Sequence, residues 1–211
     1  MSNTVANIEP IRREYDRLAP QYDRRWGHYV EATLGAVMNS LDFDGQERVL
    51  DLACGTGALE HRLLDRWPAL QVVGADLSGG MLQEAASKAL AGVVGWVQAD
   101  ARRLPFSDST FDTVLCASSF HYFRSPVASL VEIRRLLRPG GRLLLVDWCD
   151  DYLSCKLCSL WLRITDPAFH RTYALRECRS LLEGANFEVV EAEPFKVDWL
   201  WGLMRLVGRS P

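Results

Sequence analysis

No stretch of this sequence stays apolar for the ~18 residues that crossing a bilayer takes, so no stable membrane insertion is expected. The opening segment MSNTVANIEPIRREYDRL lacks the apolar core of a secretory leader. Six cysteines without such a leader lead us to expect reduced thiols and a cytoplasmic protein. Excess positive charge is also missing. Lys and Arg number 24 against 27 Asp and Glu, a net charge of −3, which leaves no electrostatic footprint for nucleic acid. The pairs Arg12-Arg13, Arg24-Arg25 and Arg134-Arg135 are too short to alter this and read as solvated faces. Internal repeats and low-complexity linkers are absent too. What remains is 211 residues, 48% of them hydrophobic, which suffices for the core of one domain of ordinary size.

Hydrophobic periodicity organises the chain. Residues 9–41 read as helical with a break at Ala19-Pro20, because Ile11, Tyr15, Leu18, Tyr22 and Trp26 recur at three- and four-residue spacing. Short apolar strands follow at 48–52, 71–76, 93–98, 113–117 (with Phe111 leading in) and 142–148. Helices alternate with them at 57–66, 79–90 (N-capped by Ser78) and 126–137. Helices at 152–164 and 174–184, the latter with Gly184 at its C-cap, precede two strands at 187–194 and 197–207. This alternation specifies an α/β fold: a Rossmann-like, seven-stranded, mostly parallel sheet with helices on both faces and a C-terminal antiparallel hairpin.

The stretch VLDLACGTGALE places Asp51, Ala53, Cys54, Gly55 and Gly57 where the first strand meets a helix. In open α/β sheets ligands bind beyond the carboxyl ends of the strands. Small residues there let backbone approach a ligand, and glycine reaches positive φ. A dinucleotide fingerprint, G-x-G-x-x-G, would have a third glycine where Glu60 stands. Two further carboxylates end or follow the next strands, Asp76 in VVGADLS and Asp100 in WVQADARRLPF. Asp76 can accept both ribose hydroxyls, Asp100 an adenine amino group with the Ala101 N–H beside it, and Asp51 an α-ammonium. A nucleoside joined to a charged amino acid without phosphate is S-adenosylmethionine.

Those residues resemble the class I S-adenosylmethionine-dependent methyltransferases, in the small-molecule branch that includes the ubiquinone and menaquinone C-methyltransferases. The match runs from about Tyr15 to Trp148 through VLDLACGTG, VVGADLSGGML, QADARRLPFSDSTFDTV and LLRPGGRLLLVDW. The resemblance implies that Leu77 and Met81 flank the adenine. It also implies that EYDRLAPQYD folds over the cofactor with Tyr15 and Tyr22 near its amino-acid end. On that basis residues 1–45 form a helical lid, 46–148 the cofactor-binding core, and 149–211 the substrate-side helices and hairpin of one methyltransferase domain.

Methyl transfer needs positioning and desolvation, and a base only where the nucleophile must lose a proton. The loop opening at Ala117, in CASSFHYF, faces the sulfonium on this reading. Histidine ordinarily titrates in the range suited to proton removal, which makes His121 a catalytic candidate, with Asp147 at the end of the fifth strand another. Leu153, Leu157, Leu160, Trp161 and Ile164 form a helical apolar stripe, read either as core packing or as one wall of a pocket for a lipophilic acceptor. Trp199, Trp201 and Leu203 read as packing on the last strand. Cys155 and Cys158 form a single C-x-x-C. No finger-like spacing to Cys149, His170 or Cys178 completes four zinc ligands, so no metal is expected. The expected function is O- or C-methylation of a partly lipophilic small molecule. The alternatives are a cofactor-binding protein without methyl transfer and an arsenic or metalloid methyltransferase.

Overall fold

A computed structural model describes residues 8–88, 92–166, 168–197 and 201–211. Its centre is a seven-stranded sheet in the order β3-β2-β1-β4-β5-β7-β6. The chain enters through α1 (Glu9–Leu18), a 3₁₀ turn (Ala19–Gln21) and α2 (Tyr22–Asn39). It then alternates β1 (Arg48–Leu52), α3 (Ala58–Arg66), β2 (Gln71–Asp76), α4 (Gly79–Ser87) and β3 (Gly95–Gln98). Next come β4 (Phe111–Ala117), a 3₁₀ turn (Phe120–Tyr122), α5 (Pro126–Leu136) and β5 (Leu137–Trp148). The chain ends through α6 (Leu153–Thr165), α7 (Leu175–Gly184), β6 (Glu188–Lys196) and β7 (Gly202–Arg209).

Strands β1 to β5 pair in parallel, and β7 inserts antiparallel between β5 and β6. The central strands are mainly apolar because helices cover both faces of the sheet. Leu50, Val114, Leu143 and Leu145 are buried towards α5 and α7, with Ile133 and Leu182. Val49, Val72, Leu115 and Leu144 are buried towards α2 and α3, with Val37 and Leu63. The order reverses direction between β1 and β4, so a crevice opens there at the carboxyl ends of the strands.

Several boundaries differ from expectation. Strand β3 begins at Gly95 rather than residue 93, since residues 92 and 93 form a turn. Helix α4 keeps its Ser78 cap, whose Oγ accepts from the Met81 N–H, but ends at Ser87. Residues 89 and 90, expected to continue it, lie outside the described residues. Gly184 is the last helical residue of α7, and the left-handed position past the helix falls on Asn186 (φ 63°), a residue whose short polar side chain tolerates it. The last strand begins at Gly202, so Trp201 precedes it. Trp199 lies outside the described residues.

Two side-chain expectations are revised: the solvated Arg134-Arg135 pair, and the α6 stripe, of which Trp161 alone walls a cavity. Arg135 is no solvated charge: it holds Glu132, Asp108 and the carbonyls of Leu104 and Phe106, fastening the loop after β3 to α5. Helix α6 presents its apolar stripe outward. Its buried side carries Cys155, whose Sγ donates to the Gly202 carbonyl, and Ser159, bonded to Thr172. The small polar groups face inward because they find partners there, the reverse of the usual amphipathic arrangement.

Candidate functional site

The crevice at the β1/β4 reversal is a cavity of about 170 Å³. The loop after β1 supplies Ala53, Cys54 and Gly55 to its wall. Ala53 (φ 61°) and Gly55 (φ 56°) both take left-handed conformations, which bends the chain sharply away from the strand. The bend is held where the Ala53 N–H donates to the Ala75 carbonyl at 2.7 Å and the Gly55 N–H to Asp76 Oδ2 at 2.9 Å. Gly57 does not line the cavity. It starts α3 at φ 78°, and a Cβ there would stand 2.9 Å from the Trp96 ring, so its role is close helix–strand packing.

Strand β2 contributes Asp76, and Leu77 and Met81 follow it along the wall. Asp76 Oδ1 accepts the Ser78 N–H at 2.8 Å. Desolvation nevertheless raises its pKa, against the pull of those backbone donors. Asp100 and Ala101 complete the far side. Asp100 has a partner that the sequence did not foretell: the Arg102 guanidinium and backbone N–H both donate to it. Asp51, nearly fully buried, closes the inner end. Desolvation first, and the Asp76 charge second, push its pKa up to about 7. Beside it, Glu60 packs over Gly74, the register partner of Asp51, and both Glu60 oxygens are buried without a hydrogen-bond partner among the described residues. Desolvation and the Asp51 charge raise Glu60 well above the usual carboxylate range.

Helices α1 and α2 close over this crevice. Tyr15 and Tyr22 line it, with ring centroids 6.2 Å apart. Sequence reasoning missed what fastens them. Asp16 Oδ1 accepts the Ser78 hydroxyl at 2.6 Å and the Gly80 N–H at 3.0 Å. Asp23 accepts the Thr56 hydroxyl and the Lys88 ammonium, both at 2.5 Å. The signal was there as a Tyr-Asp dipeptide repeated seven residues apart, aromatic towards the cavity and acid towards its rim. Replacing Asp16 by alanine removes both ties of α1, and we expect cofactor KM to rise roughly tenfold with kcat little changed, on the scale of about 1.5 kcal/mol for hydrogen bonds to a charged group. Steady-state kinetics at saturating acceptor measures it.

Beyond the tyrosines lies a second cavity of about 260 Å³. Tyr15, Tyr22, Ser118 and Tyr122 line both, and so mark the boundary between them. Trp26, Tyr29, Trp148 and Trp161 form an aromatic part of its wall, and Glu14, Arg17, Arg25 and Asp166 a charged part. Ala117, at the end of β4, borders the first cavity. His121 borders the second, and Asp147 stands behind it. His121 Nδ1 lies 2.6 Å from Asp147 Oδ1, and the His121 backbone N–H donates to Asp147 Oδ2 at 2.8 Å. The imidazole stacks on Trp148 with centroids 5.1 Å apart. The two catalytic candidates are therefore one dyad. Asp147 is buried rather than exposed, and besides meeting the imidazole it holds the 3₁₀ turn through the His121 backbone N–H.

A family model described as a methyltransferase domain matches residues 49–141. A ubiquinone/menaquinone biosynthesis C-methyltransferase of Desulfotalea psychrophila is 32% identical over 197 residues, covering 87% of this chain and 77% of that protein. The chain belongs to the S-adenosylmethionine-dependent methyltransferases. A demethylmenaquinone methyltransferase of Deinococcus radiodurans is 42% identical over 155 residues, with the chain covering 61% of its length. The [4+2]-cyclase SpnF superposes with a TM-score of 0.79 over 95% of this chain and 96% of its own at 19% identity, a likeness of fold alone.

The donor set of this methyltransferase suits its family's cofactor. Asp51 and Asp76 line the inner end of the first cavity with Glu60 buried behind Asp51, so a pyrophosphate there would meet carboxyl groups. An ammonium entering there would offset the mutual repulsion of Asp51 and Asp76, which Lys88 eases only at Glu60. The cysteines do not converge in this way. Cys155 and Cys158 sit on α6, Cys54 in the cofactor crevice, and among the described residues no three His, Cys, Asp or Glu side chains form a metal-holding group.

Proposed function

We propose that this methyltransferase adds a methyl group to a ring carbon of a hydroxylated, quinone-type lipophilic acceptor. Tyr15, Tyr22, Asp51, Ala53, Cys54, Gly55, Asp76, Leu77, Met81, Asp100, Ala101 and Ala117 would hold S-adenosylmethionine. When bound, the cofactor supplies an electrophilic methyl on a sulfonium. Asp51 receives its ammonium, Asp76 its ribose hydroxyls and Asp100 its adenine amino group. The tyrosine boundary keeps water from the line between donor and acceptor.

His121 does the proton work. Asp147 accepts from Nδ1–H, which fixes the tautomer and leaves Nε2 with its lone pair as the basic nitrogen. Taking the acceptor's hydroxyl proton turns a phenol into a phenolate, whose charge reaches the neighbouring ring carbon and makes it nucleophilic. The observation that carries this reading is the buried His121–Asp147 dyad beside the tryptophan-rich part of a cavity that shares its tyrosine boundary with the first. The name of the Desulfotalea psychrophila relative, a C-methyltransferase, supports carbon over oxygen as the methylated atom. The test is incubation of the full chain with methyl-labelled cofactor and a demethylated naphthoquinol, followed by mass spectrometry. A carbon-bound label is expected. Label on oxygen would overturn the carbon assignment, and no label on any quinol would overturn the substrate class.

A further inference from the structure

Helix α6 carries its apolar stripe into solvent. At 3.6 residues per turn, Leu153, Leu157, Leu160 and Ile164 share one side, and they are 72%, 62%, 60% and 82% exposed. Elsewhere among the described residues the exposed large apolar side chains are valines: Val93, Val190, and the pair Val127 and Val131 one turn apart on α5. Scattered residues of that kind need no explanation, whereas a contiguous stripe of large side chains marks an interaction surface. Lys156 and Arg163 stand exposed on one flank of the stripe, and the helix contains no Asp or Glu. On the other flank Trp161 and Thr165 line the second cavity.

We propose that α6 docks the protein on the surface of an anionic lipid bilayer. The stripe sinks into the headgroup boundary, Lys156 and Arg163 meet lipid phosphates, and the Trp161 flank turns the second cavity towards the lipid. Amphipathic helices with basic flanks bind membranes in this orientation. A second copy of the chain is the weaker occupant. Pairing α6 antiparallel with itself about a two-fold axis brings Lys156 of one copy towards Arg163 of the other, with no carboxylate on either helix to separate them. The docking surface stands on exposure and charge. Only its use in collecting a lipophilic acceptor rests on the function proposed above.

The test is sedimentation of the full chain with vesicles of phosphatidylcholine alone or mixed equally with phosphatidylglycerol. Expected is pelleting with the anionic vesicles, roughly tenfold or more above the neutral ones, from two basic side chains at the surface. High salt should weaken it. Leu160→Glu combined with Ile164→Glu should abolish pelleting, and both sites are solvent-exposed, so the fold is spared. Lys156→Gln with Arg163→Gln should erase the preference for anionic lipid. Failure of the unaltered chain to pellet, or pelleting indifferent to the glutamates, overturns the proposal. So does a dimer in sedimentation velocity that the glutamates dissociate. Methylation of a detergent-dispersed acceptor is read in parallel. If it survives while vesicle binding fails, the docking falls and the substrate reading stands; the opposite pattern has the opposite meaning.

Discussion

His121→Ala lowers kcat by ~10²–10⁴-fold, the usual contribution of a positioned general base. Cofactor affinity should stay close to that of the unaltered chain, because His121 borders the second cavity and not the first. Asp147→Asn should approach the same loss. An asparagine can offer its N–H to Nδ1, which drives the proton to Nε2 and removes the basic lone pair. The double variant should be scarcely worse than either single one, since the two act as a unit. A packing role for the ring, stacked as it is on Trp148, predicts a different pattern: a lower melting temperature, and substantial rescue by His121→Gln. Single-turnover kinetics with a phenolic acceptor separates the cases. An acceptor already ionised in solution should recover much of the lost rate in His121→Ala.

Asp76→Ala weakens cofactor binding by at least ~1.5 kcal/mol, more than tenfold in Kd, on the scale of charge-assisted hydrogen bonds. The loss has two sources. The carboxylate offers about four acceptor sites. Two are used by the N–H groups of Gly55 and Ser78, which leaves the rest for ribose hydroxyls. Removing it also frees the Gly55 N–H, so the bend of the glycine loop loosens. Asp76→Asn keeps one acceptor oxygen and should weaken binding less. Titration calorimetry on both variants, with melting temperatures alongside, measures the order.

The sheet was legible because its signal is local. Strands β1 and β2 have the expected bounds, and the glycines and three acidic residues sit at strand ends where residue type alone limits the choices. Twelve of the thirteen expected cofactor residues line one cavity, Gly57 being the exception. Pairings distant in sequence were not legible. Nothing in CASSFHYF or LLLVDW tells that His121 meets Asp147, 26 residues on, because that contact depends on how the β4 and β5 ends align. Arg102 on Asp100, and Arg135 across the loop after β3, are likewise tertiary choices among several reachable partners. Helix α6 misled for another reason. Periodicity shows that an apolar stripe exists but not which way it faces, and here Cys155 and Ser159 found hydrogen-bond partners inside.

The central claim is that the carboxylate-lined crevice receives a cation-bearing nucleoside. The buried Asp51–Glu60 pair, held above the usual carboxylate range by desolvation in the free protein, must give up a proton to meet an ammonium, so binding near neutral pH drives a proton off. The measurement is titration of S-adenosylmethionine into the full chain near pH 7 in two buffers of different ionisation enthalpy. Binding with net proton release, affinity that rises with pH through about 7, and loss of the release in Asp51→Asn are predicted. Binding with no proton exchange, or a crevice that takes a dinucleotide in preference, would contradict the account.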